Sequence, residues 1–350
     1  MAQGDKPYRV YRGGRTKGRV PLQRRVEQTP RRDGGRPDRP VAPAPTGPPA
    51  PRRRRWPRRV GIVVVVLLLL VVVWAFASYF ALARALDGAN QRLGPVALDE
   101  QSGLLISDPS TTLLLGTDAG PGAGREGAQR SDSIMLVRTD PDRGRTSFLS
   151  IPRDLRVDVP GHGFAKINAA YQFGGQNLAV QTVKAFTGLQ VNHMVVVDFQ
   201  SFEQLIDALG GVTIDVPEPI LSNRFDCPFS TQERCQQWKG WRFAAGEQTM
   251  SGRRALVYSR VRENRLDPAE NDLTRGERQQ AVVRAIGDDV TSFSTLVRLP
   301  FLADDLIAPL ATDLSAGQFA QLAWVKVRSD STLRCRLGGT PATRYRRVLL

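Results

Sequence analysis

Apolar residues form one uninterrupted stretch near the start of the chain, residues 60–83, which holds no charged side chain. As a helix that rises about 1.5 Å per residue, this stretch reaches about 36 Å, more than the roughly 30 Å hydrocarbon core of a bilayer. Six arginines, at positions 52–55, 58 and 59, lie directly before it. The positive-inside rule then puts the N-terminus in the cytoplasm, so the pattern predicts a single-pass protein of the cell membrane with an extracytoplasmic domain.

A cleavable signal peptide is the alternative for this stretch. Ala-Phe-Ala at 75–77 and Ala-Leu-Ala at 81–83 resemble cleavage sites. The apolar run is longer than the roughly 7–15 residues of a signal core, which favours an uncleaved anchor.

Beyond residue 110, short apolar runs alternate with segments of helical spacing. Strand patterns fall at 111–116, 133–139, 146–151, 193–198 and 212–216. Helical patterns fall at 177–187, 201–209 with a Ser201 cap, 275–290, 302–310 and, capped by Ser315, 316–327. Residues 252–261 fit either a helix or a strand, and 219–248 follow no regular pattern. The alternation predicts an α/β protein, with α+β possible: a central mixed sheet flanked by helices and preceded by one transmembrane helix.

These patterns divide the chain into five segments. We expect a disordered basic cytoplasmic tail (1–59), a transmembrane helix (60–83), a stalk (84–110), a folded domain (111–290), and C-terminal helices and a tail that pack on or extend the domain (291–350).

Charge is concentrated in the first segment. Residues 1–59 contain 18 Lys and Arg against four acidic residues, a net charge of +14 out of +15 for the whole chain. The rest of the chain is therefore close to neutral, and the high isoelectric point describes the tail. The tail has no folded DNA-reading motif and its arginines adjoin the membrane, so we expect no nucleic-acid partner.

Three cysteines occur, and two of them, Cys227 and Cys235, lie close together in the irregular segment. Outside the cytoplasm a disulfide between them can persist, so this pairing is predicted, which leaves Cys335 over. A zinc site is unfavoured because the chain has two histidines, His162 and His193, and neither is near the pair.

Acidic residues and arginines stand where the first three predicted strands end or begin. Asp118 follows the first strand, Arg130 and Asp132 precede the second, and Arg153 and Asp154 follow the third. Loops at one edge of a sheet commonly assemble a site. Further basic and amide side chains follow at Arg260, Arg262, Arg275, Arg278 and Gln279.

This combination indicates a site for a pyrophosphate. Two carboxylates such as Asp118 and Asp132 suit Mg²⁺, which leaves coordination positions for phosphate oxygens. Arginine forks bind such oxygens in a bidentate manner. The competing interpretation is that each arginine pairs with a neighbouring acid on the surface, which is the better account of any one arginine taken alone.

The order of short motifs resembles the LytR-CpsA-Psr family of cell-wall ligases over roughly 111–290. The motifs are LLLGTD at 113–118, RSDS at 130–133, SIPRD at 150–154, KINAAY at 166–171, GG at 174–175, DF at 198–199, LGGV at 209–212, ALVYSRVR at 255–262 and RQQ at 278–280. SIPRD and KINAAY are the most specific of them.

The resemblance implies a phosphotransferase-type enzyme that moves a glycopolymer from an undecaprenyl-pyrophosphate carrier to peptidoglycan. It implies Asp118 and Asp132 as the carboxylates of a Mg²⁺ site. It assigns Asp154 either the role of a base or that of orienting the catalytic Arg153. Pyrophosphate binding would fall to Arg130, Arg153, Lys166, Arg260, Arg262, Arg275, Arg278 and Gln279.

One departure from the family pattern concerns the residue after the first motif. Many members have an arginine directly after the Asp, whereas here Ala119 follows and the next basic residue is Arg125. Two other functions remain open: a polyprenyl-pyrophosphate hydrolase, which uses the same site with water, and a non-enzymatic membrane-bound regulator of the cell envelope or of transcription.

Overall fold

The computed structural model describes residues 56–118, 130–267, 272–329 and 331–337. The helices are α1 (Trp56–Leu93), α2 (Ala169–Thr187), α3 (Phe199–Leu209), α4 (Gln232–Gln237), α5 (Gly252–Arg260), α6 (Asp272–Val290), α7 (Phe293–Ile307) and α8 (Ala316–Arg328). The strands are β1 (Ser110–Thr117), β2 (Ser131–Asp140), β3 (Arg145–Ile151), β4 (Arg156–Val159), β5 (Gly163–Lys166), β6 (His193–Asp198), β7 (Val212–Val216), β8 (Ile220–Leu221), β9 (Arg242–Phe243), β10 (Gly246–Met250), β11 (Leu310–Thr312) and β12 (Ser331–Arg336).

A mixed sheet lies at the centre, with the strand order β11-β6-β1-β2-β3-β12. β1 runs parallel to β6 and antiparallel to β2, and β2 runs antiparallel to β3. The ends of β1, β3 and β6 and the start of β2 therefore meet at one edge of the sheet, which we call the rim. The predicted fold class, a mixed sheet flanked by helices, is confirmed.

The two faces of the sheet have different environments. Leu113 and Leu115 on one face are fully buried in a core that includes Val180 of α2. Side chains of a strand alternate between faces. Leu114 and Val195 accordingly point to the other face, which α3, α5, α6, α7 and α8 cover around a cavity.

Helix α1 is longer than the apolar stretch that predicts it. It continues to Leu93, and Leu86 and Ala89 are buried against Leu302 and Leu306 of α7. Residues 84–93, expected as the start of a stalk, thus pack against the domain. Within the described residues, one helix is long and apolar enough to span a membrane, over Arg59–Leu93. The tail up to residue 55 lies outside the described residues.

Several element boundaries differ from the sequence-based expectation, because capping groups act at different positions. Ser201 is not the cap of α3: Asp198 ends β6 and its carboxylate accepts a hydrogen bond from the Ser201 backbone N–H, so the helix begins at Phe199. Helix α7 begins at Phe293 because Ser292 caps it. The predicted Ser315 cap of α8 is confirmed as a complete capping box.

The structure also assigns secondary structure to segments that the sequence pattern left undecided or did not predict. Most of the segment 252–261 is helical: α5 covers Gly252–Arg260, and its Ala255 and Val257 are fully buried. The segment 219–248 contains β8, β9, α4 and the first residues of β10. Cys227 and Cys235 are joined by a disulfide with a Cα–Cα distance of 5.8 Å. β11 and β12 add edge strands to the central sheet, and Cys335 on β12 is a free, exposed thiol.

Candidate functional site

A β-bulge places Asp132 at the rim. Gly116 pairs with Ser133 and Thr117 pairs with Ser131, so Asp132 is the extra residue of β2 at this step of the ladder. Bulges re-aim a side chain relative to the regular pleat. Asp132 lines the cavity on the α6 side of the sheet.

Arg153 reaches Asp132 from the end of the neighbouring strand β3. Its guanidinium donates a short hydrogen bond to the Asp132 carboxylate, and the side chains of both are four-fifths buried. Arg153 Nε lies 3.5 Å from Asp154 Oδ2. The rim therefore brings together the predicted Asp132, Arg153 and Asp154.

Asp154 lies between two cations. Lys166 Nζ donates to its carboxylate at 2.7 Å. Partial burial opposes ionisation, but the hydrogen bond from Lys166 and the charges of Arg153 and Lys166 outweigh it, so the pKa of Asp154 is below its ordinary value. A carboxylate with a lowered pKa is a weak proton acceptor. This environment favours the orienting role for Asp154.

Helix α6 contributes Arg275 and Gln279 to the same end of the cavity. Arg275 is buried and donates to the Asp132 backbone carbonyl at 2.6 Å, while Gln279 accepts from Ser133 Oγ at 3.2 Å. Arg278 points elsewhere: it is buried, and its guanidinium donates to the carbonyl of Val261 at 3.1 Å. We therefore see Arg278 as a brace between α6 and the end of α5.

Arg260 enters the cavity mouth from the end of α5. Its guanidinium lies 4.5 Å from the centre of the Phe199 ring and forms an ion pair with Asp226. Asp226 directly precedes Cys227 of the disulfide. The disulfide loop thus positions an arginine of the site. Arg262, two residues after Arg260, is half-buried.

Arg130 and Asp118 lie at the outer side of the rim. The Asp118 carboxylate accepts from the Arg130 backbone N–H at 3.0 Å, and Arg130 Nε donates to Gln172 Oε1 at 3.2 Å.

Burial, together with the negative charges of Asp118 and Asp198, raises the pKa of Tyr171. Gln172 and Tyr171 belong to the first part of α2, which breaks at Gly174 and at Gly175, where φ is +60°.

An apolar cavity of about 540 Å³ leads away from this cluster. Its polar end consists of Asp132, Ser133, Asp198, Arg260, Arg275 and Gln279, and the rest of its wall is almost entirely hydrocarbon. The wall includes Leu82 of α1, Val282 of α6, Leu299 of α7 and Trp324 of α8. Such a shape fits a molecule with an anionic head and a long apolar tail.

The two carboxylates implied for a metal have the donor chemistry that Mg²⁺ requires. Asp118 directly follows β1, and Asp132 is the bulged residue of the neighbouring strand β2. In each carboxylate one oxygen accepts a hydrogen bond from a protein donor, which leaves the second oxygen for a metal ion. Among the described residues, no group of three or more His, Cys, Asp or Glu side chains is arranged to hold a metal. Two carboxylates match the donor preference of Mg²⁺, an ion that commonly takes its other ligands from phosphate oxygens and water.

Sequence reasoning missed several residues of the site. Asp226, Phe199 and Gln172 hold the arginines. Asp226 and Gln172 have no sequence signal that separates them from ordinary loop or helix residues, whereas Phe199 belongs to the DF motif. Ser133 could have been predicted from the sequence, because it belongs to the RSDS motif. Arg125, the nearest basic residue after the first motif, lies outside the described residues, as do residues 268–271.

Fold and site together define an α/β protein that has one helix long and apolar enough to span a membrane and an arginine-rich mouth on an apolar cavity. The sequence model of the LytR_cpsA_psr family matches residues 82–331. The chain belongs to this family. The resemblance seen in the short motifs is thereby confirmed over a longer part of the chain.

Named relatives and solved structures agree with this assignment. The chain is 32% identical over 282 residues to the polyisoprenyl-teichoic acid–peptidoglycan teichoic acid transferase TagU of Oceanobacillus iheyensis, covering 77% of this chain and 81% of that protein. It resembles the structure of TagT bound to LI-WTA, with a TM-score of 0.53, 28% identity and coverage of 70% and 85%. It also resembles the LytR-CPS2A-psr family protein YwtF (TagT) with bound octaprenyl pyrophosphate lipid, with a TM-score of 0.50, 26% identity and coverage of 70% and 84%.

Proposed function

We propose that this protein transfers a glycopolymer from a polyprenyl-pyrophosphate carrier, undecaprenyl pyrophosphate in particular, to peptidoglycan. The observation that carries the proposal is the junction between the arginine-lined rim and the apolar cavity. The pyrophosphate needs cationic donors and the polyprenyl tail needs hydrocarbon, and the cavity offers both in one continuous space. The relatives named as teichoic acid transferases and the homologous structure with octaprenyl pyrophosphate support the same assignment.

In this reaction a sugar hydroxyl of peptidoglycan attacks the phosphorus on the glycan side of the pyrophosphate. A new P–O bond forms, the bridging P–O bond breaks, and the lipid monophosphate leaves. The hydroxyl proton passes to solvent. Transfer of this kind depends mainly on positioning the reactants and neutralising charge.

The arginines have distinct positions relative to that charge. Arg275 and Arg260 lie at the cavity mouth, where the lipid-side phosphate would sit. Arg153, held by Asp132 and Asp154, and Arg130, held by Gln172, lie at the rim beyond it. Donors fixed in advance stabilise the developing charge without reorganising during the reaction.

We further propose Mg²⁺ at Asp118 and Asp132. When bound there, the ion would neutralise charge on the phosphate oxygens. The protein's own part is to hold both carboxylates at the ends of paired strands and to keep Asp132 in place through Arg153.

The proposed orientation puts the N-terminus in the cytoplasm and the domain outside. The arginines before α1 support it through the positive-inside rule. The Cys227–Cys235 disulfide supports it as well, because disulfides persist in oxidising compartments. A reporter fused after Arg84 tests it: activity outside the cytoplasm agrees with the proposal, and activity inside overturns it.

Mass spectrometry of the protein purified from bacterial membranes tests the lipid assignment. We expect co-purified polyprenyl phosphate or pyrophosphate. Val283→Trp, which places a ring in the cavity wall of α6, should remove it, and the control Leu189→Trp, on an exposed position after α2, should not. Equal lipid in both variants, or none in the parent protein, contradicts the assignment.

A further inference from the structure

The face of α7 that points away from the domain is apolar and exposed. Phe293, Val297 and Phe301 are spaced four residues apart and so share one side of the helix. Phe293 is 82% exposed and Phe301 is 85% exposed. Trp324 and Val327 of α8 are exposed as well. We call these five residues the α7–α8 patch. Both helices line the same cavity, and large exposed apolar side chains on such helices mark a site of interaction.

The position of α7 along the membrane helix identifies what covers this patch. Trp74, inside the apolar part of α1, donates its indole N–H to the carbonyl of Val297 at 3.0 Å. A 30 Å hydrocarbon core that begins at Arg59 takes about 20 helical residues and ends near Tyr79. Trp74 then lies about 7 Å inside the outer boundary, and Val297 lies at the same depth.

The other end of α7 lies farther from the membrane. Arg92, near the end of α1, donates to the carbonyls of Ile307 and Leu310. Helix α7 therefore runs alongside α1 with its first residues on the membrane side. Its acidic residues, Asp304 and Asp305, come only in the last turn.

Basic side chains flank the patch. Arg298 and Arg328 are exposed, and the Arg328 guanidinium lies 5.7 Å from the centre of the Trp324 ring. Aromatic residues beside Lys or Arg are typical of protein surfaces whose apolar side chains are buried about 5–10 Å deep at the headgroup boundary of a bilayer. That depth agrees with the depth of Val297 derived from α1.

We infer that the α7–α8 patch is embedded in the outer surface of the lipid bilayer. The same helices line the far end of the apolar cavity, through Leu296, Leu299, Trp324 and Val327. The cavity therefore opens into the bilayer, and a lipid tail enters it sideways without crossing water. This second point rests on the proposed function, whereas the embedding itself does not.

Depth measurement on the full chain in lipid vesicles tests the embedding. A spin label at Phe301→Cys is compared with one at Phe164→Cys, both in a Cys335→Ser background. Phe164 is 70% exposed but lies on β5, two residues from Lys166 at the rim. We expect the label at 301 to collide severalfold more often with oxygen than with a water-soluble nickel chelate, and the label at 164 to show the reverse. An aqueous pattern at 301 overturns the embedding, as does spin–spin broadening that assigns the patch to a second copy of the chain.

Sideways entry is tested separately with Phe301→Asp. Its transfer rate with a long-chain carrier in vesicles should fall about tenfold or more, whereas the rate with a short-chain, water-soluble carrier should stay within about twofold. Leu189→Asp is the control, and its rate should not change with either carrier. Equal rates for Phe301→Asp and the control in vesicles overturn sideways entry. Absence of transfer by the parent chain with both carriers would instead reject the proposed function and leave the depth result intact.

Discussion

At the scale of single residues, the site depends on arginines held by acids on neighbouring elements. Arg153 lies between Asp132 and Asp154, and Arg260 is held by Asp226. An arginine fixed by a carboxylate spends less conformational entropy when it binds phosphate, because its side chain is already ordered. From the sequence alone, these ion pairs could be interpreted as ordinary surface pairs. In the structure they hold the arginines of the site in position.

Arg153→Ala should slow transfer by about a hundredfold or more, the usual effect of losing one fixed donor to developing charge. The assay is transfer of a labelled lipid-linked glycan to peptidoglycan. Arg143→Ala is the matched control, since the Arg143 side chain is 70% exposed in the turn between β2 and β3 and pairs with Asp140. Comparable losses in both variants would show that Arg153 acts only through stability.

Asp132→Asn should raise the Mg²⁺ concentration needed for half-maximal transfer, because it removes a ligand charge and keeps the side-chain shape. The measurement is a Mg²⁺ titration of the transfer rate. Asp142→Asn, in the exposed turn before Arg143, should titrate like the parent chain. An unshifted titration for Asp132→Asn would place the metal elsewhere.

At the scale of elements, the sequence predicted regular segments well and their ends poorly. Strands 193–198 and 212–216 agree with β6 and β7, because β6 is a short apolar run and β7 alternates in burial directly after two glycines. The start of α3 was wrong by two residues because Asp198, not Ser201, provides the capping oxygen. β12 was not predicted, since an edge strand with exposed side chains has no apolar pattern.

The functional site, too, could be predicted only in part from the sequence. The motifs predicted which strand ends carry acids and arginines, and the antiparallel order of β1, β2 and β3 brings those ends to one rim. The residues that hold the arginines come from segments far apart in sequence. Asp226 and Arg260, for example, meet only through the disulfide loop.

The connection between α1 and β1 is anchored by Asp99. Its carboxylate accepts from Lys184 Nζ at 2.6 Å and from the Val191 N–H at 2.8 Å, and the Lys184 hydrogen bond is the main cause that lowers the pKa of Asp99. A lowered folded-state pKa stabilises the protein above the unfolded carboxyl pKa of about 3.9, and this contribution is lost as pH falls through the folded value.

Asp99→Asn should therefore lower the free energy of unfolding by about 1 kcal/mol at neutral pH, because it removes the ion pair with Lys184. The difference should shrink as pH falls below about 4. Denaturant unfolding of the detergent-solubilised chain across this pH range measures it. A difference that stays constant with pH would contradict the role of the ionised carboxylate.

Removal of the Cys227–Cys235 disulfide should loosen the loop that holds Arg260. The sulfurs close a loop with a sequence separation of 8, worth about 2.5 kcal/mol by the chain-entropy argument. In Cys227→Ser/Cys235→Ser we expect KM for the lipid substrate to rise severalfold with a smaller change in kcat, because Asp226 no longer fixes Arg260. Cys335→Ser, which removes the free thiol, is the control. A pure fall in kcat would argue against this positioning role.

At the scale of the whole molecule, the two faces of the central sheet serve different purposes. Its α2 side is an ordinary core, while its α6 side forms the cavity that joins the rim to the α7–α8 patch. Helix α1, which is long and apolar enough to span a membrane, takes part in the fold as well, because Leu82 lines the cavity and Leu86 is buried in the domain. Helix α1 and the domain are thus continuous, an arrangement suited to the proposed lipid-linked substrate.

The central claim is tested most directly by following a glycan labelled on its polyprenyl-pyrophosphate carrier, with and without peptidoglycan. We predict that the label appears covalently on peptidoglycan and that lipid monophosphate is released in equal amount. When peptidoglycan is omitted, little free glycan phosphate should form. Release of glycan phosphate at the same rate without peptidoglycan would show a hydrolase, and absence of any label on peptidoglycan would contradict the proposed transfer.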